Sequence, residues 1–259
     1  MKQDEHMEEI FEKYVSARFD SVANKAYYDY ICAEILNTIG PTMSSGLFLE
    51  LMCGTGELMA RYSTPPTVRK VGLDLTSRML AHGSKHHAGA GQFVCGDARR
   101  LPFADATVQV IVIQGGLHHV ARHLDEVLKE IGRVLAPNGK LVCIEPCNDN
   151  WIVAAIRWCV YQTFKIFDPA EERGLRRGEL ETGLSKAGLV MEQYRPVGYA
   201  AFALIGNTDV LPWCYHLRWQ PAIRFLIWSD DVLARVPVVR RLGWLCLFRA
   251  RKNQPTSSV

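Results

Sequence analysis

The chain has 259 residues, of which 48% are hydrophobic and 22% are charged, and its formal net charge at pH 7 is +3. This composition is close to the globular average and excludes a disordered chain, a collagen-like repeat and a charge-rich coiled coil. So small an excess of positive charge gives no global electrostatic argument for nucleic-acid binding, although residues 218–259 contain eight Lys/Arg against two Asp/Glu.

Helical and strand patterns alternate along the first two thirds of the chain. Residues 8–39 predict a helix that ends at Gly40-Pro41. Helices are further predicted after Gly56 and over residues 77–87 and 124–135, the last ending at a turn over 136–139. Apolar runs predict strands over residues 47–52, 68–75, 92–95, 108–114 and 140–145. This alternation predicts an α/β fold with a parallel sheet and helices on both faces.

The last third of the chain predicts additional elements of the same domain. Helices are expected over residues 151–167, 179–187 and 231–242, and strands over 189–194 and 243–249. An insertion at about residues 198–228 is rich in aromatic side chains, namely Tyr199, Phe202, Trp213, Tyr215, Trp219, Phe225 and Trp228. The best candidate for a membrane span, 151–167, is too short and contains two basic residues.

The amino-terminal sequence and the cysteines predict the cellular compartment and whether the protein binds a metal. The amino terminus is acidic and lacks an apolar signal core. Eight cysteines are scattered without a Cys-x-x-Cys pair, which argues against a zinc site of the usual spacing. These features predict a cytoplasmic, reduced protein without a bound metal.

Acidic residues close three successive predicted strands. Glu50 precedes a glycine-containing turn at Gly54 and Gly56, Asp74 ends the second strand, and Asp97 ends the third. Ligands of open α/β sheets bind outside these carboxyl ends, and an acid about 20 residues beyond a glycine turn is placed to bind ribose hydroxyls. Asp74 is equally suited to cap the helix that follows it.

Four stretches resemble the motifs of one family, in the family's order. They are LFLELMCGTGEL, VGLDLTSRML, FVCGDARRLPFADATVQVIVIQGGLHHV and LDEVLKEIGRVLAPNGKLVCIEP, which together lie within residues 45–147. The chain resembles the class I S-adenosylmethionine (SAM)-dependent methyltransferases. Within them it resembles the type-11 group, which includes the ubiquinone/menaquinone-biosynthesis methyltransferases. The resemblance implies a Rossmann-like, seven-stranded, mostly parallel sheet whose last strand is antiparallel.

The resemblance also implies roles for individual residues. Glu50 would belong to the network beneath the methionine amino group, Asp74 would bind both ribose hydroxyls, and Asp97 would accept a hydrogen bond from the adenine amino group. Met52 stands where the family usually has glycine, so its side chain is expected either to narrow the pocket or to shift the methionine portion of the cofactor. The full set of implied cofactor contacts is Glu50, Met52, Cys53, Gly54, Gly56, Asp74, Leu75, Met79, Asp97, Ala98 and Gln114.

Methyl transfer needs a base wherever the acceptor must lose a proton, and histidine is the natural base near neutral pH. His118 and His119 follow the fourth strand, and His119 is the preferred candidate for the catalytic base. Both histidines are equally consistent with packing or cofactor contact. The pairs His119/His123 and His82/His86 are spaced four apart, but they are interpreted as solvated helix faces rather than as metal ligands.

Residues 1–42 are expected to form a helical lid on a domain that spans 43–259. Tyr14, Tyr27 and Tyr28 of the lid either shield the cofactor or pack on the core. The aromatic insertion is expected to be a cap over the substrate, and the basic aromatic carboxyl-terminal region is an alternative surface for peripheral membrane contact.

The predicted function is methyl transfer from SAM to a hydrophobic or aromatic small molecule, with no nucleic-acid partner. Two alternatives remain open. The first is an accessory protein with the same fold and no catalysis, and the second is a SAM-binding enzyme that catalyses cyclisation or elimination.

Overall fold

The structure, a computed structural model, describes residues 20–164, 172–206 and 215–253, together with Phe11, Val15 and Leu211. Within these residues seven strands form one sheet in the order β3-β2-β1-β4-β5-β7-β6. The strands are β1 (Gly46–Leu51), β2 (Val68–Asp74), β3 (Gln92–Cys95), β4 (Val108–Gln114), β5 (Leu135–Pro146), β6 (Leu189–Val197) and β7 (Leu245–Lys252).

The helices lie between these strands, as the alternating pattern predicts. The α-helices are α1 (Val22–Ile39), α2 (Glu57–Arg61), α3 (Ser77–His86), α4 (Leu124–Val134), α5 (Trp151–Thr163), α6 (Arg177–Lys186) and α7 (Gln220–Leu233). Short 3-10 helices span Leu117–His123 and Val239–Leu242, and a π-helical turn spans Phe202–Gly206.

The pairing of the strands confirms the predicted Rossmann-like, mostly parallel sheet. Strands β1 to β5 pair in parallel, whereas β7 runs antiparallel to both β5 and β6. The central strands are buried on both faces, which explains their continuous apolar sequences. One core cluster packs α4 and α6 against the sheet, and a second packs α1 and α7 against the other face.

The helix predicted over residues 231–242 is wrong. Helix α7 begins eleven residues earlier, at Gln220, with Pro221 in its first turn, and it ends at Leu233. Proline fits a first turn because the N–H it lacks would have no partner there. Pro237 disfavours the helical conformation in the residue before it, and only a short 3-10 helix follows. Helix α7 therefore includes residues 220–228 of the predicted aromatic insertion.

The turn predicted over residues 136–139 lies inside a longer strand. Strand β5 begins at Leu135, and the register shifts between the pairs Val108–Leu135 and Val110–Lys140. Asn138 has φ of 61°, a left-handed conformation that asparagine tolerates. The turn signal thus marks an irregularity in β5 that leaves its partnership with β4 intact.

Helix α1 packs directly on the sheet. Ser21 accepts a hydrogen bond from the Asn24 backbone N–H and so caps the start of the helix. Tyr27 is buried in the second core cluster, whereas Tyr28 is partly buried with the Arg61 guanidinium 5.7 Å from its ring centre. Tyr14, the remaining tyrosine of the predicted lid, and Trp213 of the predicted cap lie outside the described residues.

No helix among the residues that the structure describes is both long and apolar enough to cross a membrane. The described cysteines are free thiols: Cys32, Cys53, Cys95, Cys143, Cys147, Cys159 and Cys246.

Candidate active site

The glycine turn connects β1 to α2 at the carboxyl edge of the sheet. The Cys53 N–H donates to the Leu73 carbonyl over 3.0 Å, and the Gly56 N–H donates to the Cys53 carbonyl over 2.8 Å. Gly54 and Gly56 have φ of 53° and 75°. A Cβ on Gly56 would lie 2.6 Å from Phe93, so only glycine fits there.

Asp74 binds this turn from the end of β2. Its Oδ2 accepts from the Gly54 N–H over 2.8 Å, and its Oδ1 accepts from the Thr76 N–H over 2.9 Å. Burial raises the pKa of Asp74, and these hydrogen bonds oppose that rise. Because each carboxylate oxygen has a second lone pair, Asp74 can also accept from a diol. The residue that caps α3 is Thr76, so Asp74 stabilises the turn before that helix and does not cap it.

Met52 adopts the left-handed conformation, with φ of 57°. Its side chain packs on the core and into the space left by Gly116, where an added Cβ would lie 2.5 Å from Met52 Sδ. The Met52 side chain is therefore accommodated against Gly116. Glycine is the residue that adopts a positive φ most readily, which agrees with its usual presence at this position in the family.

Glu50 is buried beneath the turn. Its Oε2 accepts from the Met59 N–H over 2.6 Å, so the carboxylate contacts the first turn of α2. Burial, assisted by the charges of Glu57 and Asp74, raises the pKa of Glu50 to about 8. The observed contact supports the backbone that forms the turn.

The implied adenine contacts differ in how accessible they are. Leu75 is 36% exposed at the end of β2 and has apolar surface to offer a flat ring, whereas Met79 is 1% exposed and lies in the core. Asp97 forms an ion pair with Arg99 at 2.6 Å and also accepts from the Arg99 N–H. Arg99 lowers the pKa of Asp97 and keeps it charged. Ala98, next in the chain, is buried.

Gln114 ends β4 and connects the edge of the sheet to α1. Its Oε1 accepts from the Cys32 Sγ over 3.6 Å, and Cys32 is a buried residue of α1. The predicted lid helix is thus in contact with the predicted methionine end of the site.

Glu145 organises the loop that follows β4. Its carboxylate accepts from the backbone N–H groups of Gly116 and Leu117 over 2.9 and 2.8 Å and from that of His118 over 3.3 Å. His118 Nδ1 also lies 2.9 Å from Glu145 Oε2. Burial and the neighbouring His119 lower the pKa of His118, so the ring is neutral near pH 7. This arrangement gives His118 a structural role.

His119 has a different carboxylate partner, Glu172. His119 Nδ1 lies 2.9 Å from Glu172 Oε1, and the histidine side chain is 26% exposed. Burial lowers the pKa of His119, but the carboxylates of Glu172, Glu145 and Asp74 outweigh it and raise the pKa above its usual value. With Nδ1 facing Glu172, Nε2 is left to act as a base. The contact therefore favours His119 over His118.

Glu172 is the site residue that the sequence analysis missed. The chain returns to the sheet at Leu175, which forms a parallel bridge with Cys147, and the Leu175 N–H donates to the Pro146 carbonyl over 2.8 Å. This pairing brings Glu172 to the end of β5. In the sequence, Glu172 stands in a charged stretch with nothing to indicate which residue it would meet.

Three side chains at this edge are arranged so that they could hold a metal ion. One ligand atom from each of His118, His119 and Glu172 lies within 4.8 Å of the others. Of the histidines spaced four apart in the sequence, His119 belongs to this group, whereas His123, His82 and His86 do not. His123 instead lies 3.2 Å from Glu126, and the His82 and His86 rings stack on each other.

Comparisons with known proteins agree with this geometry. Residues 48–139 match the family model described as a methyltransferase domain. Over 126 residues the chain is 35% identical to the demethylmenaquinone methyltransferase of Lactobacillus johnsonii, covering 46% of this chain and 50% of that protein. The chain therefore spans about half the length of the curated relatives that it matches.

Two solved structures illustrate the likeness in fold. The (4+2)-cyclase SpnF has a TM-score of 0.60 at 18% identity, covering 88% of this chain and 81% of that one. A geranyl diphosphate C-methyltransferase from Streptomyces coelicolor A3(2), solved with Mg2+, geranyl diphosphate and S-adenosyl-L-homocysteine, has a TM-score of 0.58 at 14% identity. That match covers 87% of this chain and 79% of that one. At these identities the likeness concerns the fold alone, which is the Rossmann-like, mostly parallel seven-stranded sheet described above.

Proposed function

Because residues 48–139 match the model of a methyltransferase domain, we propose that the chain is a SAM-dependent methyltransferase that acts on a hydrophobic or aromatic small molecule. One observation carries the proposal. Asp74 holds the Gly54 turn while retaining lone pairs for a ligand, which is the arrangement that a ribose requires.

The described residues fit this cofactor. Glycines at 54 and 56 let the backbone approach a ligand closely. Leu75 offers exposed apolar surface beside them. When bound, the cofactor supplies a methyl group that is already activated on a sulfonium. The chain must then position the acceptor atom and, where that atom has a proton to lose, remove the proton.

We assign proton removal to His119. Glu172 orients the ring through Nδ1 and favours the positive charge that the ring acquires when Nε2 takes a proton. His118, which is buried and bound to Glu145, holds the adjacent loop in place.

The substrate class rests on the relatives and on composition. The curated relatives act on demethylmenaquinone, and one structural neighbour acts on geranyl diphosphate. Aromatic residues are dense over 198–228, where the sequence predicts a substrate cap. A hydrophobic acceptor is the chemistry that these features share.

A panel of hydrophobic acceptors incubated with isotope-labelled SAM and analysed by mass spectrometry tests the proposal. Methyl transfer adds one labelled methyl group to the product, and His119→Ala should lower the turnover about 100-fold or more while leaving SAM binding in place. Products of unchanged mass would favour the cyclisation alternative. Absence of SAM binding by well-folded protein in calorimetry would favour the accessory alternative.

A further inference from the structure

Large hydrophobic side chains are exposed mainly in two places. Among the described residues, nearly all of the strongly exposed large hydrophobic side chains lie on α5 or within residues 219–238. They are Trp151, Ile152, Ile156, Trp158, Trp219, Phe225, Trp228, Val232, Val236 and Val238. The exceptions are Leu75 and Val190. Surface apolar residues are normal when they are scattered, but a concentration that includes four tryptophans needs an explanation.

Helix α5 has an outer face without charge. Trp151 and Trp158 are 77% and 65% exposed, and Ile152 and Ile156 are also exposed. Arg157, the charged residue of the helix, points the other way and is buried. Its guanidinium donates to the carbonyls of Cys147 and Trp244. The Arg157 guanidinium therefore anchors α5 to the rest of the domain, whereas the tryptophan and isoleucine side chains of α5 face solvent.

Helix α7 has an exposed apolar stripe with basic neighbours. Phe225, Trp228 and Val232 follow one another at helical spacing and are all exposed. Arg224 and Arg235 are exposed beside this stripe, while Ile223 and Asp230 face the interior.

Charge over this region has one dominant sign. Residues 215–243 contain five arginines, namely Arg218, Arg224, Arg235, Arg240 and Arg241, all exposed. Of the two acidic residues there, Asp230 is buried and accepts from the Tyr199 and Ala201 N–H groups, and Asp231 accepts from the Tyr30 hydroxyl. An exposed aromatic stripe with arginines beside it is complementary to an anionic lipid surface.

Helices α5 and α7 are both attached near the carboxyl ends of the parallel strands, where the candidate active site lies. Arg157 attaches α5 to Trp244, immediately before β7, and β7 starts opposite Pro146 at the end of β5. Asp230 attaches α7 to the residues that follow β6, which ends at the same edge. A partner bound there would lie near the carboxyl ends of the parallel strands.

We propose that the exposed faces of α5 and α7 form a membrane-contact surface that binds the chain peripherally to bilayers rich in anionic lipid. The tryptophans and Phe225 enter the headgroup region, where amphipathic rings are favoured, and the arginines meet the lipid phosphates. This inference concerns binding and does not depend on the proposed methyl transfer.

Vesicle sedimentation without cofactor tests the inference. The full chain should sediment with vesicles of phosphatidylcholine mixed with phosphatidylglycerol, and salt should weaken the binding. Phe225→Ser/Trp228→Ser and Trp151→Ser/Trp158→Ser should each lower the partition coefficient about tenfold or more. Arg224→Gln/Arg235→Gln should lower it roughly fivefold per arginine on anionic vesicles and little on pure phosphatidylcholine.

Val190→Ser is the matched control, because Val190 is also exposed but lies near the start of β6, at the opposite edge of the sheet. It should bind as the unchanged chain does, and thermal unfolding should show every variant folded. Equal sedimentation of all variants would overturn the inference. So would a dimer in analytical ultracentrifugation that the serine variants dissociate without any vesicle binding, since the surface would then join two copies of the chain. SAM binding, measured separately, reports on the proposed function alone.

Discussion

Met52 and Gly116 share one volume between the loops that follow β1 and β4. A Cβ on Gly116 would lie 2.5 Å from Met52 Sδ and 2.7 Å from Met52 Cβ. Met52, in the loop after β1, stands where the family usually has glycine. Gly116, in the loop after β4, leaves the space that the Met52 side chain needs. Both loops belong to the candidate site, so this contact fixes their spacing.

Gly116→Ala should therefore destabilise the fold by about 1–3 kcal/mol, because the added methyl group overpacks the contact with Met52. Denaturant unfolding measures the change. Met52→Gly/Gly116→Ala should recover part of the loss, because glycine at position 52 removes both the Sδ and the Cβ that the added methyl group meets. Gly178→Ala, at a helical position with nothing within 4 Å of the added Cβ, should have no such cost. Equal stabilities for Gly116→Ala and Gly178→Ala would contradict the packing argument.

Asp74→Asn should weaken SAM binding about tenfold to a hundredfold, as expected for the loss of one charged hydrogen-bond acceptor at about 1.5–3 kcal/mol. Isothermal titration calorimetry measures the affinity. Asp29→Asn removes a carboxylate that is exposed and paired with Arg61, so it should leave the affinity unchanged. An unaltered affinity for Asp74→Asn would remove the residue from the cofactor site.

Glu172→Gln should shift the acidic limb of the profile of kcat/KM against pH to lower pH. A base must be unprotonated, so activity falls as the pH drops through the pKa of His119, which the nearby carboxylates raise. Removing the charge of Glu172 lowers that pKa and extends activity toward acid. Glu126→Gln, which changes the exposed partner of His123, should leave the profile in place. Superimposable profiles for Glu172→Gln and the unchanged enzyme would show that Glu172 does not act through His119.

Removal of divalent metal should leave the turnover unchanged. His118 and His119 each have a carboxylate 2.9 Å from Nδ1, in Glu145 and Glu172, so both rings have partners without an ion. Turnover is measured before and after treatment with a chelator. If activity disappears and Mg2+, Mn2+ or Zn2+ restores it, the group of His118, His119 and Glu172 is a metal site.

Glu50→Gln should change how stability depends on pH. The folded pKa of Glu50 is raised to about 8 from 4.5, so the folded state holds a proton that the unfolded state releases. Stability from this group is fully present below about pH 4.5 and is lost as the pH rises through about 8. Gln removes this loss, which is on the order of a few kcal/mol for a shift of that size. Unfolding curves at pH 5 and pH 8 test the expectation, and equal slopes with pH for both proteins would contradict it.

Local patterns predicted the sheet well and the late helices less well. Strand β4 matches its expected bounds because a run of β-branched residues defines a buried strand. Strand β3 also matches its expected bounds, although its four residues are exposed or partly buried. Helix α7 was misplaced because its outer face is apolar, so the contrast that marks an amphipathic helix is missing. The helix expected over residues 231–242 includes Pro237, whereas Pro237 lies beyond Leu233, the last residue of α7.

Several motifs in one order indicate the cofactor side of the candidate site, whereas no local pattern indicates Glu172 on the acceptor side. The turn at Gly54 and Asp74 lie within stretches whose order is readable in the sequence. Glu172 reaches His119 because Leu175 pairs with Cys147, a contact between segments that no local pattern encodes. Partners of this kind are determined by tertiary pairing, and the structure is needed to find them.

The carboxylate of Glu145 joins the loop after β4 to the central sheet at four donor atoms. A change of sequence that shifted this loop would have to break several of those bonds together. Single substitutions toward new acceptors therefore meet less resistance on the outer helices, whose exposed side chains can change one at a time. The loop after β4 constrains the position of the proposed base, and the surrounding surface leaves room for a change of acceptor.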